Sequence, residues 1–216
     1  MITITAAPER EPLSGLRLPV VVVLVAWFAM VVLLGAGGLF ESPSGTAPIA
    51  IGIGFAAPLV LFFAALRLSQ QFKALVASLD LRLVSAIQAW RFAGFGFLAL
   101  YAYDVLPASF ALPAGLGDIA IGLSAPWIVL ALIRRPGFAG GTAFKVWNAL
   151  GVLDLVSAVA TGALGSVLAT GALGEITTAP MARLPLVLIP AYFVPIFLML
   201  HITALIQARR APRVTG

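Results

Sequence analysis

The sequence predicts an all-α polytopic membrane protein, a bundle of six transmembrane helices with cytoplasmic N and C termini. Three observations lead there. The chain contains six apolar runs of roughly 20 residues, the length at which a helix crosses a ~30 Å hydrocarbon core. Hydrophobic residues make up 62% of its 216 residues and charged residues only 10%, against roughly 45–50% and 25% in soluble domains. Lysine and arginine, finally, are concentrated on alternate connections between the runs. Lipid offers no hydrogen bonds to backbone groups, so runs of this kind close their N–H and C=O groups within helices rather than in open strands.

Residues 1–17, with Pro8, Glu9, Arg10, Glu11, Pro12 and Arg17, read as a polar cytoplasmic tail. The first span, about Leu18 to Phe40, exceeds the roughly 7–15 apolar residues of a signal-peptide core and is expected to be retained. The loop Glu41-Ser-Pro-Ser-Gly-Thr46 carries no Lys or Arg and leads to a second span, about Ala47 to Arg67. Between Arg67 and Arg82, Phe72, Leu75, Val76 and Leu79 recur at helical spacing with Lys73, Ser78 and Asp80 elsewhere. That pattern fits either an interfacial helix or an extension of the third span. Span three runs from about Leu83 to Tyr103 and turns at Asp104 through Pro107 and Pro113. Span four runs from about Ala114 to Ile133 and stops at Arg134-Arg-Pro-Gly137. Proline and glycine punctuate both ends. Span five is placed at 145–164, a Gly- and Thr-rich connection continues to Arg183, and span six is placed at 184–208 before a basic tail over 209–216.

Outside the spans, one side carries Arg10, Arg17, Arg67, Lys73, Arg82, Arg134, Arg135, Lys145, Arg209, Arg210 and Arg213, and the other only Arg183. The positive-inside rule therefore puts both termini in the cytoplasm, in agreement with an even number of spans. A bacterial inner membrane is the expected location. The basic residues stand as ones and twos beside apolar runs, which makes the lipid bilayer the expected partner and argues against nucleic acid. The absence of cysteine excludes disulfides, thiolate metal sites and thiol nucleophiles. No cofactor and no metal site is expected. Gly35-Ala-Gly-Gly38, Gly52 and Gly54 follow no strand and read as packing residues rather than a phosphate loop.

Four ionisable residues fall inside spans: Arg91, Asp118, Asp154 and His201. A charge there costs at least ~2.5–3.5 kcal/mol unless it is paired. Nine residues separate Arg82 from Arg91 and Lys145 from Asp154, and eight separate His201 from Arg209. At a rise of ~1.5 Å per residue, all three groups lie ~12–14 Å deep. Equal depth makes an Arg91–Asp154 ion pair the economical arrangement, with His201 able to join it. Gln88, Arg91 and Gly94 share one helix face, as do Gly151, Asp154, Ser157, Ala158 and Thr161. Asp118, sixteen residues from Arg134, falls ~24 Å from that anchor, in the outer third, with Tyr101 or Tyr103 as expected partner. His201 has no second His or Cys to complete a haem or metal site and reads as a packed or hydrogen-bonded side chain. Pro126, Pro190 and Pro195 lie within spans, where each removes a backbone hydrogen bond and bends or opens its helix.

Such residues favour a small transporter or permeation protein that is proton-linked. Asp154 and His201 would be its titratable sites, Arg91 the fixed counter-charge, Gln88 a neighbouring polar group, and Asp118 a residue near the outer entrance; a small solute or a proton would be its cargo. The competing reading is a noncatalytic membrane subunit, or a lipid- or pigment-binding scaffold, in which the Arg–Asp pair only ties two helices together. A second copy or a membrane complex would then be the partner.

Gly122-Leu-Ser-Ala125 in span four and His201 in span six resemble the rhomboid protease pattern. The resemblance implies an intramembrane serine protease with Ser124 as nucleophile and His201 as its base. The sequence departs from that pattern where Ala125 stands in place of glycine and Pro126 follows at once. His201 is also the sole histidine, leaving no counterpart for the one that assists the oxyanion.

Overall fold

The computed structural model describes residues 14–210. Of the tails read at 1–17 and 209–216, residues 1–13 and 211–216, including Arg10 and Arg213, lie outside them, and the remainder belongs to the first and last helices. Among the described residues every regular element is helical. Six helical stretches are long and apolar enough to cross a membrane: Leu18–Ala36, Ile49–Leu68, Leu81–Ala102, Ala108–Arg134, Thr142–Leu168 and Ile189–Arg210. This is the build of a multi-pass membrane protein.

Helices α1 (Ser14–Ala36) and α2 (Ile49–Leu68) are apolar on all sides over 18–36 and 49–66 and leave large side chains uncovered there. Leu33 is 72% exposed and Leu61 70%, a surface suited to lipid rather than water. Helix α3 (Gln70–Ser78) is separate and amphipathic, burying Leu75 and Val76. Ser69 caps it by accepting the Phe72 N–H at 3.1 Å. It does not extend the third span, because the chain opens at Leu79 and Asp80 caps a new helix by accepting the Arg82 N–H at 2.8 Å. Gln207 joins this corner to the last helix, donating to Val76 O at 2.8 Å and Leu79 O at 3.0 Å.

The third span is a continuous rod of α4 (Leu81–Ile87), a 3₁₀ stretch over Gln88–Gly94, and α5 (Phe95–Ala102). It lies against α6 (Ala108–Arg134), which begins before the Ala114 expected from sequence and encloses Pro113. A membrane helix tolerates such a proline, since neighbouring groups can take up the freed carbonyl. Asp104, at φ 55°, makes the sharp turn between them. Helix α7 (Thr142–Leu168) outruns its expected bounds at both ends.

Leu184–Val187, read as the start of span six, forms turns instead. The span opens with a π-helical stretch, Ile189–Phe193, followed by α8 (Val194–Arg210). The Val194 N–H reaches back five residues to Ile189 O. Pro195 has no N–H to offer Ala191, so the ordinary spacing cannot be restored at this turn.

Two apolar clusters bracket the middle of the bundle. Phe97, Leu106, Phe110, Ala111, Ala114 and Met181 fill one end, and Val84, Phe144, Ala204 and Ala208 the end that carries most of the basic residues. In the loop after α7, the Thr170 and Gly171 N–H groups donate to the Glu175 carboxylate at 2.8–3.0 Å, and the Thr170 hydroxyl donates at 2.9 Å. The Thr170 bonds, backbone first, hold Glu175 below the ordinary glutamate range. With the folded value below the unfolded one, this contribution is complete above the ordinary range and is lost as pH falls through the folded value. Amide exchange at Thr170 and Gly171, corrected for its intrinsic pH dependence, should accelerate as pH is lowered from the ordinary glutamate value, about 4.3, into the acid range below it. Unchanged protection over that window would contradict the assignment.

Candidate functional site

Arg91 is the hub of a polar layer between the two apolar clusters. It projects from the 3₁₀ stretch and is 2% exposed. Its Nε donates to Asp118 Oδ1 at 2.7 Å and its Nη2 to Asp154 Oδ2. Its Nη1 faces His201 Nε2 at 3.1 Å and Gly151 O at 3.5 Å. One guanidinium thus binds α6, α7 and α8 to the third span, which its planar fork of donors suits it to do.

The bonds determine the state of His201. Arginine can only donate, so Nε2 must be the acceptor and the proton must sit on Nδ1. Nδ1 then donates to Asn148 Oδ1 at 2.9 Å, while Asn148 Nδ2 donates to Phe144 O at 2.9 Å. The imidazole is neutral in this arrangement, because a second ring N–H would point at the guanidinium. The Trp147 ring meets it edge-on at 5.3 Å.

Glycine makes this layer possible. A Cβ on Gly117 would run into the Asp154 carboxylate, one on Gly151 into the His201 ring, and one on Gly122 into the backbone at Phe92. Each is a close approach that any side chain would block.

Arg91, Asp118, Asp154 and His201, identified separately from sequence, therefore meet. Asp118 departs from its expected place: it bonds to Arg91 rather than Tyr101 or Tyr103, and it is not confined to the outer third. Distance from Arg134 misleads because α6 has 27 residues, ~40 Å at helical rise, and overhangs a ~30 Å core. Asp118 lies ten residues from one end of α6 and sixteen from the other. Gln88 stays outside the cluster. It is buried and donates to Phe197 O at 3.2 Å, while its Oε1 and the nearby Ser85 Oγ have no partner. Ser157 and Thr161, expected on the same stripe as Asp154, bond to carbonyls of their own helix. Asn148 was missed; it lies one three-residue step before Gly151 on that stripe, and following the step backward would have reached it.

The serine and histidine expected of a protease do not meet. The Ser124 hydroxyl bonds to Ala120 O at 2.7 Å and Ile121 O at 3.0 Å and accepts from Trp147 Nε1 at 2.8 Å. Both His201 nitrogens are engaged elsewhere. Among the described residues, no three His, Cys, Asp or Glu side chains are grouped to hold a metal ion.

A cavity of about 540 Å³ reaches Asp118 from the end of the bundle opposite most of the basic residues. Ile49, Phe97, Phe110, Leu155, Val159 and Ile189 are among its lining residues. At its mouth Arg183 donates to Glu41 Oε2 from Nε at 3.0 Å and from Nη2 at 2.8 Å. The Asp118 and Asp154 side chains are 18% and 16% exposed, while that of Arg91 is fully covered. The cluster thus hides its cation and presents a carboxylate to open space.

Searches of curated proteins and of solved structures give no match to this chain. Residues 48–209, most of the chain and all of the cluster, match the family model described as a domain of unknown function, DUF8737, and the protein belongs to that family.

Proposed function

We propose that the protein is a small, proton-linked membrane transporter or permeation protein that works through the Arg91–Asp118–Asp154–His201 cluster. On this reading both termini face the cytoplasm of a bacterial cell, and the cavity opens to the outside. Support for that orientation comes from the concentration of Lys and Arg at the end opposite the cavity mouth.

The observation that carries the reading is the surplus of acid over base. One carboxylate would suffice to tie Arg91 into a structural pair, yet two converge on it, and His201 accepts a bond without adding charge. With both aspartates ionised the cluster carries a net charge of about −1 at mid-bundle, an expensive condition that a proton or a bound cation relieves. Asp118 bonds to Arg91, which also holds Asp154, and His201 touches the cluster through Arg91. A carboxylate at the end of an open cavity is accessible to both protons and solutes, which is what coupling requires.

The test is purified protein in liposomes with an imposed pH gradient and an internal pH dye, challenged with organic cations, carboxylates and sugars in turn. At least one class should dissipate the gradient in the wild type. Asp118→Asn and Asp154→Asn should each reduce that rate at least ~10-fold, as expected where a buried ionisable group lies on the path. If no class of solute collapses the gradient, or if both variants keep the wild-type rate, the protein is a scaffold and the cluster a fastening.

A further inference from the structure

Resting on that reading, we infer that the cavity is a binding site for organic monocations with an apolar body, seated with their charge toward Asp118. Four features of the site select this class. The walls are mainly aliphatic and aromatic, and of the hydroxyls among them Ser166 and Thr178 already donate to Thr46 O and Gly162 O, so a polar solute would find few partners there. The volume, about 540 Å³, lies in the roughly 300–1,000 Å³ range of pockets that enclose small organic ligands. The Glu41–Arg183 pair at the mouth is neutral as a unit, which leaves the cluster beyond Asp118 as the source of unbalanced charge. With both aspartates ionised that charge is a single negative unit, so a monovalent cation balances it, an anion is repelled and a neutral molecule leaves it uncompensated.

Inorganic cations fit less well. They call for several oxygen ligands, whereas Asp118 Oδ1 is already engaged by Arg91 and the surrounding walls are mainly apolar. A cation whose charge is spread over a large apolar body gives up little hydration on entry and gains from the walls as it does so. A proton and such a cation would compete for the same carboxylate, which is how exchange of one for the other could be coupled.

The experiment is calorimetric titration of the purified full-length protein in detergent with tetraphenylphosphonium, beside its anionic counterpart tetraphenylborate and the neutral triphenylphosphine oxide. The wild type should bind the phosphonium and neither control. Asp118→Asn leaves Arg91 paired with Asp154 and should weaken binding roughly 30-fold or more. Because that variant could lose its fold, Ala163→Trp serves as a second one, since it fills the cavity from α7 at a position nine residues beyond Asp154; it too should abolish binding. Equal affinity for all three probes, or phosphonium binding unchanged in a folded variant of either kind, overturns the inference. If carboxylates or sugars collapse the pH gradient in liposomes while the phosphonium does not bind, transport stands and this ligand class falls. If the phosphonium binds through Asp118 but no solute collapses the gradient, the site stands and transport falls.

Discussion

Arg91→Gln is expected to be the most damaging single substitution in the chain, destabilising the folded bundle by about 3–5 kcal/mol, the range for removing one partner of a buried ion pair. Here the loss is compounded. Asp118 and Asp154 lose a shared cation, His201 Nε2 loses its donor, and the third span loses its connection to α6, α7 and α8 at once. Arg91→Lys should recover only part of this, because one ammonium lacks the planar fork that reaches three side chains together. Thermal unfolding in detergent, followed by size-exclusion chromatography, would display the order wild type, Lys, Gln. Adding Asp118→Asn and Asp154→Asn to Arg91→Gln should restore much of the stability by removing the stranded charges. An Arg91→Gln protein that melts within about 2 °C of the wild type would show that the cluster does not hold the bundle together.

The next largest effects are expected from two substitutions that ordinarily favour helices. Glycine to alanine within a helix gains up to about 1 kcal/mol. Gly151→Ala and Gly117→Ala should nonetheless destabilise, because the new methyl groups would overlap the His201 ring and the Asp154 carboxylate. Overpacking of this kind costs about 1–3 kcal/mol, enough to outweigh the propensity gain. A double-mutant cycle can isolate the cause. His201→Ala removes the ring that Gly151→Ala meets, so the pair should be less destabilised than the two single effects added together. Additive effects would mean that the glycine is there for another reason.

How much could be read without coordinates depends on what each residue interacts with. The helical character and the six long apolar stretches follow from composition and run length, properties summed over about 20 residues and insensitive to detail. Arg91, Asp154 and His201 could be brought to one level because each has a basic anchor near its own helix end. Asp118 could not, because its anchor terminates a helix that overhangs, and the overhang depends on how α6 packs and tilts. Asn148 escaped for a different reason: an uncharged amide in an apolar run resembles any tolerated polar residue until its partner across the interface is known. Ser124 and His201 show the reverse error. Their likeness to the rhomboid pattern implied chemistry, but the face that each helix presents sends them to Trp147 and Asn148.

Pro190 and Pro195 were legible as a disturbance of span six, though not as a widened turn, and the form of that disturbance has an angular consequence. At 100° per residue, the twelve residues from Ile189 to His201 would place the two roughly 120° apart around an unbroken α-helix. A π turn accommodates one additional residue, which takes back roughly one 100° step and leaves an offset of only about 20°. A single azimuth of the last helix therefore supplies both a cavity wall at Ile189 and the imidazole behind the acidic floor.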